Sequence, residues 1–202
     1  MSPLCVALME LFSMERAMQP EMLNSFSVVS YLTGELATFV DSFRCEVTPG
    51  CPHRAHLTLL PPRPLDISTA AAADECARIL ETFHPFDVQI TGVSLFESTE
   101  VIKLTVGQGV AELRTLHDVL NTGSLEHAEN YDYVPHVTLS MKTPGRTAEC
   151  FELAKQRWTR FSKPMWLRVD RLTLVQQRAD ETWSDLVELP IGPSLVYASA
   201  RR

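Results

Sequence analysis

Long apolar runs are missing from this chain. The longest, such as Leu4 to Met9, is ended by Glu10 and falls far short of the roughly 18 residues that a membrane-crossing helix needs. The N-terminus also lacks the basic leader of a secretory signal, so we expect a cytosolic, non-membrane protein. Positive charge is short as well: Lys and Arg number 18 against 25 Asp and Glu, a net charge of −7. Such a chain repels polyanions, which argues against coating nucleic acid by bulk charge, and any phosphate site must be local. The five cysteines are odd in number and irregularly spaced, with no C-x-x-C pair; they read as reduced thiols rather than a zinc site or redox dithiol. Also absent are G-x-x-x-x-G-K-[ST], G-x-G-x-x-G, H-E-x-x-H, G-x-S-x-G and the zinc deaminase signature. Their absence disfavours P-loop enzymes, dinucleotide-dependent dehydrogenases, zincins, the usual serine hydrolases and ATP-driven ligation.

What remains is an ordinary globular composition, 45% hydrophobic and 21% charged over 202 residues. A chain of this length buries about 70% of its unfolded surface without a disulfide or metal staple. The charge is uneven, net −11 over residues 1–140 and +4 over 141–202. Periodicity predicts strand 25–32, helix 34–46, strand 54–60 stopped by Pro61-Pro62-Arg63-Pro64, helix 68–83 and strand 86–96 with a bend at Gly92. The same order then returns: strand 101–106, helix 110–121, strand 134–140, helix 146–161 and one long strand 165–176, with a last strand at 183–189. At an offset of 79, Pro85, Val88, Ile90, Val93 and Leu95 meet Pro164, Leu167, Val169, Leu172 and Leu174. The repeat predicts an α+β fold: a bilobal duplicated domain over 23–192, with intertwined lobes and two antiparallel-rich sheets lining a central cleft, helices outside. Residues 1–22 are expected to be an extension and 193–202 a tail.

One string occurs twice, His56-Leu57-Thr58-Leu59 and His136-Val137-Thr138-Leu139, each inside a predicted strand. Side chains alternate along a strand, so each His shares a face with its Thr while the aliphatic pair turns to the core. One such string is weak; two at equivalent places in a repeat are specific. Opening a phosphodiester with water needs one group to take a proton from water and another, across phosphorus, to protonate the leaving oxygen. Two imidazoles suffice, because a pKa near 6.5 lets a neutral and a protonated ring coexist. Thr58 and Thr138 are placed to donate hydroxyl hydrogen bonds to the phosphate oxygens. We expect no metal and no cofactor. A pseudo-twofold pair serves in either sense; the lean is to His136 as base and His56 as acid.

With the motifs AHLTL (55–59) and PHVTL (135–139), the breaker after the first and the closing L-x-L and W-x-x-L-x-E-L strands, residues 25–190 resemble the 2H phosphoesterase superfamily, in its branch of 2′-5′ RNA ligases and RNA 2′,3′-cyclic phosphodiesterases. The resemblance implies a monomeric enzyme acting on an RNA end or a cyclic nucleotide, with ligation as the reverse of transesterification. A module that only holds nucleotides or RNA ends in the same cleft is the competing expectation.

Arg63 and Lys142 each follow a motif and are candidates to bring charge to the cleft rim. Tyr131 and Tyr133 precede the second motif, where a ring could stack on a base. Cys51, His53 and His56 spell C-x-H-x-x-H, but the spacing is not that of a zinc site. His84, His117 and His127 read as structural or solvated. Lys155, Arg157, Arg160, Lys163, Arg168 and Arg171 read as an exposed helical face and its surroundings rather than an RNA track.

Overall fold

The computed structural model describes residues 20–141 and 143–193. Among these residues eight strands form two antiparallel sheets. The first has the order β2 (His56–Arg63), β1 (Met22–Tyr31), β7 (Arg171–Arg178), β8 (Trp183–Pro190). The second has the order β5 (His136–Ser140), β4 (Val101–Val106), β3 (Phe86–Phe96), β6 (Met165–Val169). Four helices complete the fold: α1 (Gly34–Val47), α2 (Thr69–Leu80), α3 (Val110–Leu120) and α4 (Thr147–Trp158). The fold class is the expected α+β. Among the described residues no helix is long and apolar enough to cross a membrane.

The repeat is visible in the register. Val88 and Leu167, equivalent at the offset of 79, are direct partners in the β3–β6 ladder, flanked by Phe86 with Val169 and Ile90 with Met165. The two halves of the chain therefore meet around this pair. Each half also crosses to the other. Helix α1 packs on β5 and α3 packs on β2, so each lobe is covered by a helix of the opposite half. One buried cluster runs beneath both sheets, from Val40, Phe43 and Leu57 to Leu104, Leu116 and Val137.

Several boundaries differ from expectation, among them the helix expected over 68–83, which ends at Leu80. The first strand begins at Met22, so the end of the expected extension belongs to the sheet. Strand β2 does not stop at Pro61 but continues through Pro62 to Arg63. It can do so because it is an edge strand, where a missing N–H is lost on the unpaired side. Its register also slips between Phe26 with Arg63 and Val28 with Leu60, which absorbs the extra residue as a bulge. The predicted strand 165–176 is two strands, broken at Asp170, with β6 in one sheet and β7 in the other. Helix α4 ends at Trp158, three residues early. The bend at Gly92 is a register shift between Ile90 and Gly92.

Candidate active site

Both motifs begin an edge strand, β2 in one sheet and β5 in the other, and the two strands lie against each other. Alternation does what the sequence predicts. Leu57, Leu59, Val137 and Leu139 are fully buried, while His56, Thr58, His136 and Thr138 are half-buried on the opposite faces. On the first sheet, β1 sets Tyr31 beside His56 and Val29 beside Thr58. On the second, β4 sets Thr105 beside His136 and Lys103 beside Thr138.

The two histidines are held alike. His56 Nδ1 lies 2.7 Å from the carbonyl of Arg54, and His136 Nδ1 lies 2.7 Å from that of Val134. A carbonyl only accepts, so in each neutral ring Nδ1 carries the proton and Nε2 keeps its lone pair. Each ring also meets an aromatic edge: Tyr31 stands perpendicular to His56 at 6.5 Å and Phe96 to His136 at 5.0 Å. Each aromatic carries a cation on its face, Arg54 3.7 Å from the Tyr31 centroid and Lys103 3.3 Å from that of Phe96. The two halves thus build the same cation, aromatic and imidazole arrangement with different residues.

A cleft of about 760 Å³ lies on the first sheet. His56, Thr58 and Thr138 line it together with Tyr31, Trp183 and Asp185, whereas His136, of the four motif side chains, does not. The first sheet curls enough for the Tyr31 hydroxyl to donate to Asp185, two strands away, while Arg54 bonds the same carboxylate at 2.9 Å. Burial and this carboxylate push the Tyr31 phenol well above its ordinary range.

The electrostatics favour neutral imidazoles. Burial first, and then the Arg44 guanidinium, push His56 down to about 4. Burial and Lys103 also lower His136. In both cases the Nδ1 bond to a carbonyl works in the opposite direction and is outweighed.

Other expectations fare differently. Arg63 is not at the rim. It is 3% exposed, and its guanidinium donates to Glu129 at 2.5 Å, to Asn121 and to the Leu125 carbonyl. Tyr133 does not line the cleft; its ring stacks on His117 at 4.0 Å and its hydroxyl donates to the Thr58 carbonyl at 2.8 Å. Tyr131 is 72% exposed beside a separate polar hollow. Lys142 lies outside the described residues. His117 is buried and bonded to Glu129 and Asp118. Cys51 and His53 line the cleft with His56, and among the described residues no three His, Cys, Asp or Glu side chains are grouped to hold a metal. Most of the basic cluster is paired: Lys155 with Glu152, Arg157 with Glu46, Arg168 with Asp87, and Arg171 with Asp170 and Glu188.

Two cations escaped sequence reasoning. Arg44 falls on the buried stripe of α1 with Leu36, Val40, Phe43 and Val47. A charge at that phase of an apolar helix face was the available signal. Lys103 sits on the polar phase of β4 between the buried Ile102 and Leu104.

Comparison with known proteins agrees with this geometry. A protein of Oceanobacillus iheyensis assigned as a phosphoesterase is 28% identical over 131 residues, 64% of this chain and 75% of its own. A counterpart in Geobacillus thermodenitrificans, assigned likewise, is 24% identical over 169 residues, 79% of this chain and 91% of its own. Among solved structures, Escherichia coli LigT complexed with 3′-AMP superposes with a TM-score of 0.54 at 16% identity, covering 86% of this chain and 99% of that one. A second structure, of a phosphoesterase, gives 0.55 at 15% identity with the same coverage. These two share the fold. The sequence model of the 2′-5′ RNA ligase superfamily matches residues 34–181, which carry both motifs and the strands that present them, and the chain belongs to that superfamily of phosphoesterases and RNA ligases.

Proposed function

We propose that this protein is a phosphodiesterase that opens 2′,3′-cyclic phosphate ends of RNA or nucleotides, with His56 and His136 as the acid and base pair and no metal required. The observation that carries this reading is the matched pair of imidazoles. Each starts an equivalent edge strand, is fixed through Nδ1 to a backbone carbonyl and keeps Nε2 for chemistry.

His136 takes a proton from water, whose oxygen attacks phosphorus. The bond from phosphorus to one ribose oxygen breaks on the opposite side, and that oxygen takes the proton held by His56. The product is a nucleoside 2′- or 3′-phosphate end. The cleft supports this order. It extends from His56 over the first sheet, where Tyr31 and Trp183 offer aromatic surface for the nucleoside, so a nucleoside bound there turns its leaving ribose oxygen toward His56, and the reading assigns the water side of phosphorus to His136, which stands outside the cleft lining. Thr58 and Thr138 both line the cleft and supply hydroxyls to the non-bridging oxygens, where charge builds. Bringing a 5′-hydroxyl in place of water would run the same step toward 2′-5′ ligation.

The test is turnover of a 2′,3′-cyclic nucleotide and of RNA ending in a cyclic phosphate, in EDTA, by the wild type and by His56→Ala and His136→Ala. The wild type should turn over and each variant should fall about 10²- to 10⁴-fold, the usual worth of general acid or base catalysis. Binding of nucleoside 2′- or 3′-phosphate without turnover of any cyclic substrate would instead make this a binding module.

A further inference from the structure

We propose that Arg44 and Tyr133 are positioning residues, each anchored in one half of the chain and gripping the carbonyl of the motif threonine in the other, so that the two motifs are locked at one separation. Because β2 and β5 are edge strands, neither has a hydrogen-bonded strand on its outer side to fix it. Side chains take that place. From α1, Arg44 Nε and Nη2 donate to the Thr138 carbonyl at 3.0 and 2.6 Å. From the segment that leads into β5, the Tyr133 hydroxyl donates to the Thr58 carbonyl at 2.8 Å. Neither residue is an incidental surface contact. Arg44 is 5% exposed, and Tyr133 is clamped by its stack on His117.

Arg44 does more than hold β5. Its Nη1 donates to the carbonyls of His53 and Arg54 at 3.2 and 2.9 Å, and the Arg54 carbonyl is the acceptor that fixes His56 Nδ1. One guanidinium therefore spans the backbone of both motifs. The groups around His56 are Arg44 from α1, His53 and Arg54 before β2, Tyr31 from β1, His136 from β5, and Asp185 of β8 through Tyr31 and Arg54. After burial, Arg44 is the largest of the influences that keep the ring neutral. Grip and charge are separable. A lysine keeps the charge but presents one ammonium, not the planar fork that reaches three carbonyls.

The proposal rests on the proposed reaction only for its activity readout. His56 is titrated by NMR in the wild type, Arg44→Lys, Arg44→Gln and Tyr133→Phe, and kcat and KM are measured for a 2′,3′-cyclic nucleotide. In Arg44→Gln the His56 midpoint should rise by about one pH unit, whereas in Arg44→Lys and Tyr133→Phe it should stay near the wild-type value. Arg44→Lys and Tyr133→Phe should each lower kcat about tenfold, with KM changed less than about twofold, as misplacement of the catalytic pair demands. An unmoved His56 midpoint in Arg44→Gln overturns the electrostatic role. Unchanged kcat in both Arg44→Lys and Tyr133→Phe overturns the positioning role, and Tyr133→Phe keeps that outcome readable if an Arg44 variant fails to fold. A wild type inactive on every cyclic phosphate overturns the reaction and leaves the titration to decide the charge effect alone.

Discussion

At the scale of single residues, the protonation of the pair sets the pH dependence. The reaction needs one proton on the two rings together. Burial and Arg44 push His56 down to about 4, and burial with Lys103 lowers His136, so the one-proton form of the free enzyme is most populated on the acid side of 6.5, and the proposed order requires the bound anionic phosphate to draw that proton onto His56. We therefore expect kcat/KM to peak below pH 6.5. It should fall at higher pH, where both rings are neutral, and again below about 4, where both are charged. The anionic phosphate raises both rings, so the kcat profile should lie at higher pH than that of kcat/KM. A kcat/KM still rising through pH 7 would contradict this. The four motif residues were legible because strand alternation and repetition are written in the sequence itself. Arg44 was legible only as an anomaly, a charge on the apolar stripe of a helix, because its meaning depends on β5, which lies 94 residues away along the chain.

At the scale of elements, the ends of β2 and the approach to β5 are joined by Arg63. Its ion pair with Glu129 is buried, the side chains being 2% and 14% exposed, and the same carboxylate reaches His117, on which Tyr133 stacks. Removing one partner strands a buried charge, at a cost of about 3–5 kcal/mol. Arg63→Ala should therefore lower the melting temperature by about 10 °C while leaving KM for a cyclic nucleotide little changed, both measured on the same preparation. A raised KM with an unmoved melting temperature would restore Arg63 to the cleft rim. Sequence alone suggested the rim because Arg63 follows the first motif so closely. The structure continues the strand instead, and carries the side chain into the other half. The same blindness to pairing hid the break at Asp170. The apolar phase shifts from Met165, Leu167 and Val169 to Leu172 and Leu174 across Asp170 and Arg171, but what that shift means, a change of sheet, shows only in the partners, β3 on one side and β1 with β8 on the other.

At the scale of the whole molecule, duplication explains why the two weak motifs stand on edge strands that lie against each other. The two halves meet around Val88 and Leu167, exchange helices across β2 and β5 and bring one histidine from each side. Among the described residues most of the basic cluster is paired, with Glu46, Asp87, Glu152, Asp170 and Glu188, and the net charge is −7, which suits recognition of an end better than of a long strand. The central claim is that the two imidazoles divide the work, His136 activating water and His56 protonating the leaving oxygen. Its most direct test is the rate of each single alanine variant on two substrates: a 2′,3′-cyclic nucleotide, and thymidine 3′-(4-nitrophenyl phosphate), whose nitrophenolate departs without a proton. His56→Ala should lose about 10²- to 10⁴-fold on the cyclic nucleotide but less than about tenfold on the nitrophenyl ester, while His136→Ala should lose heavily on both. Equal losses by His56→Ala on the two substrates, or rescue of His136→Ala by the activated leaving group, would contradict it.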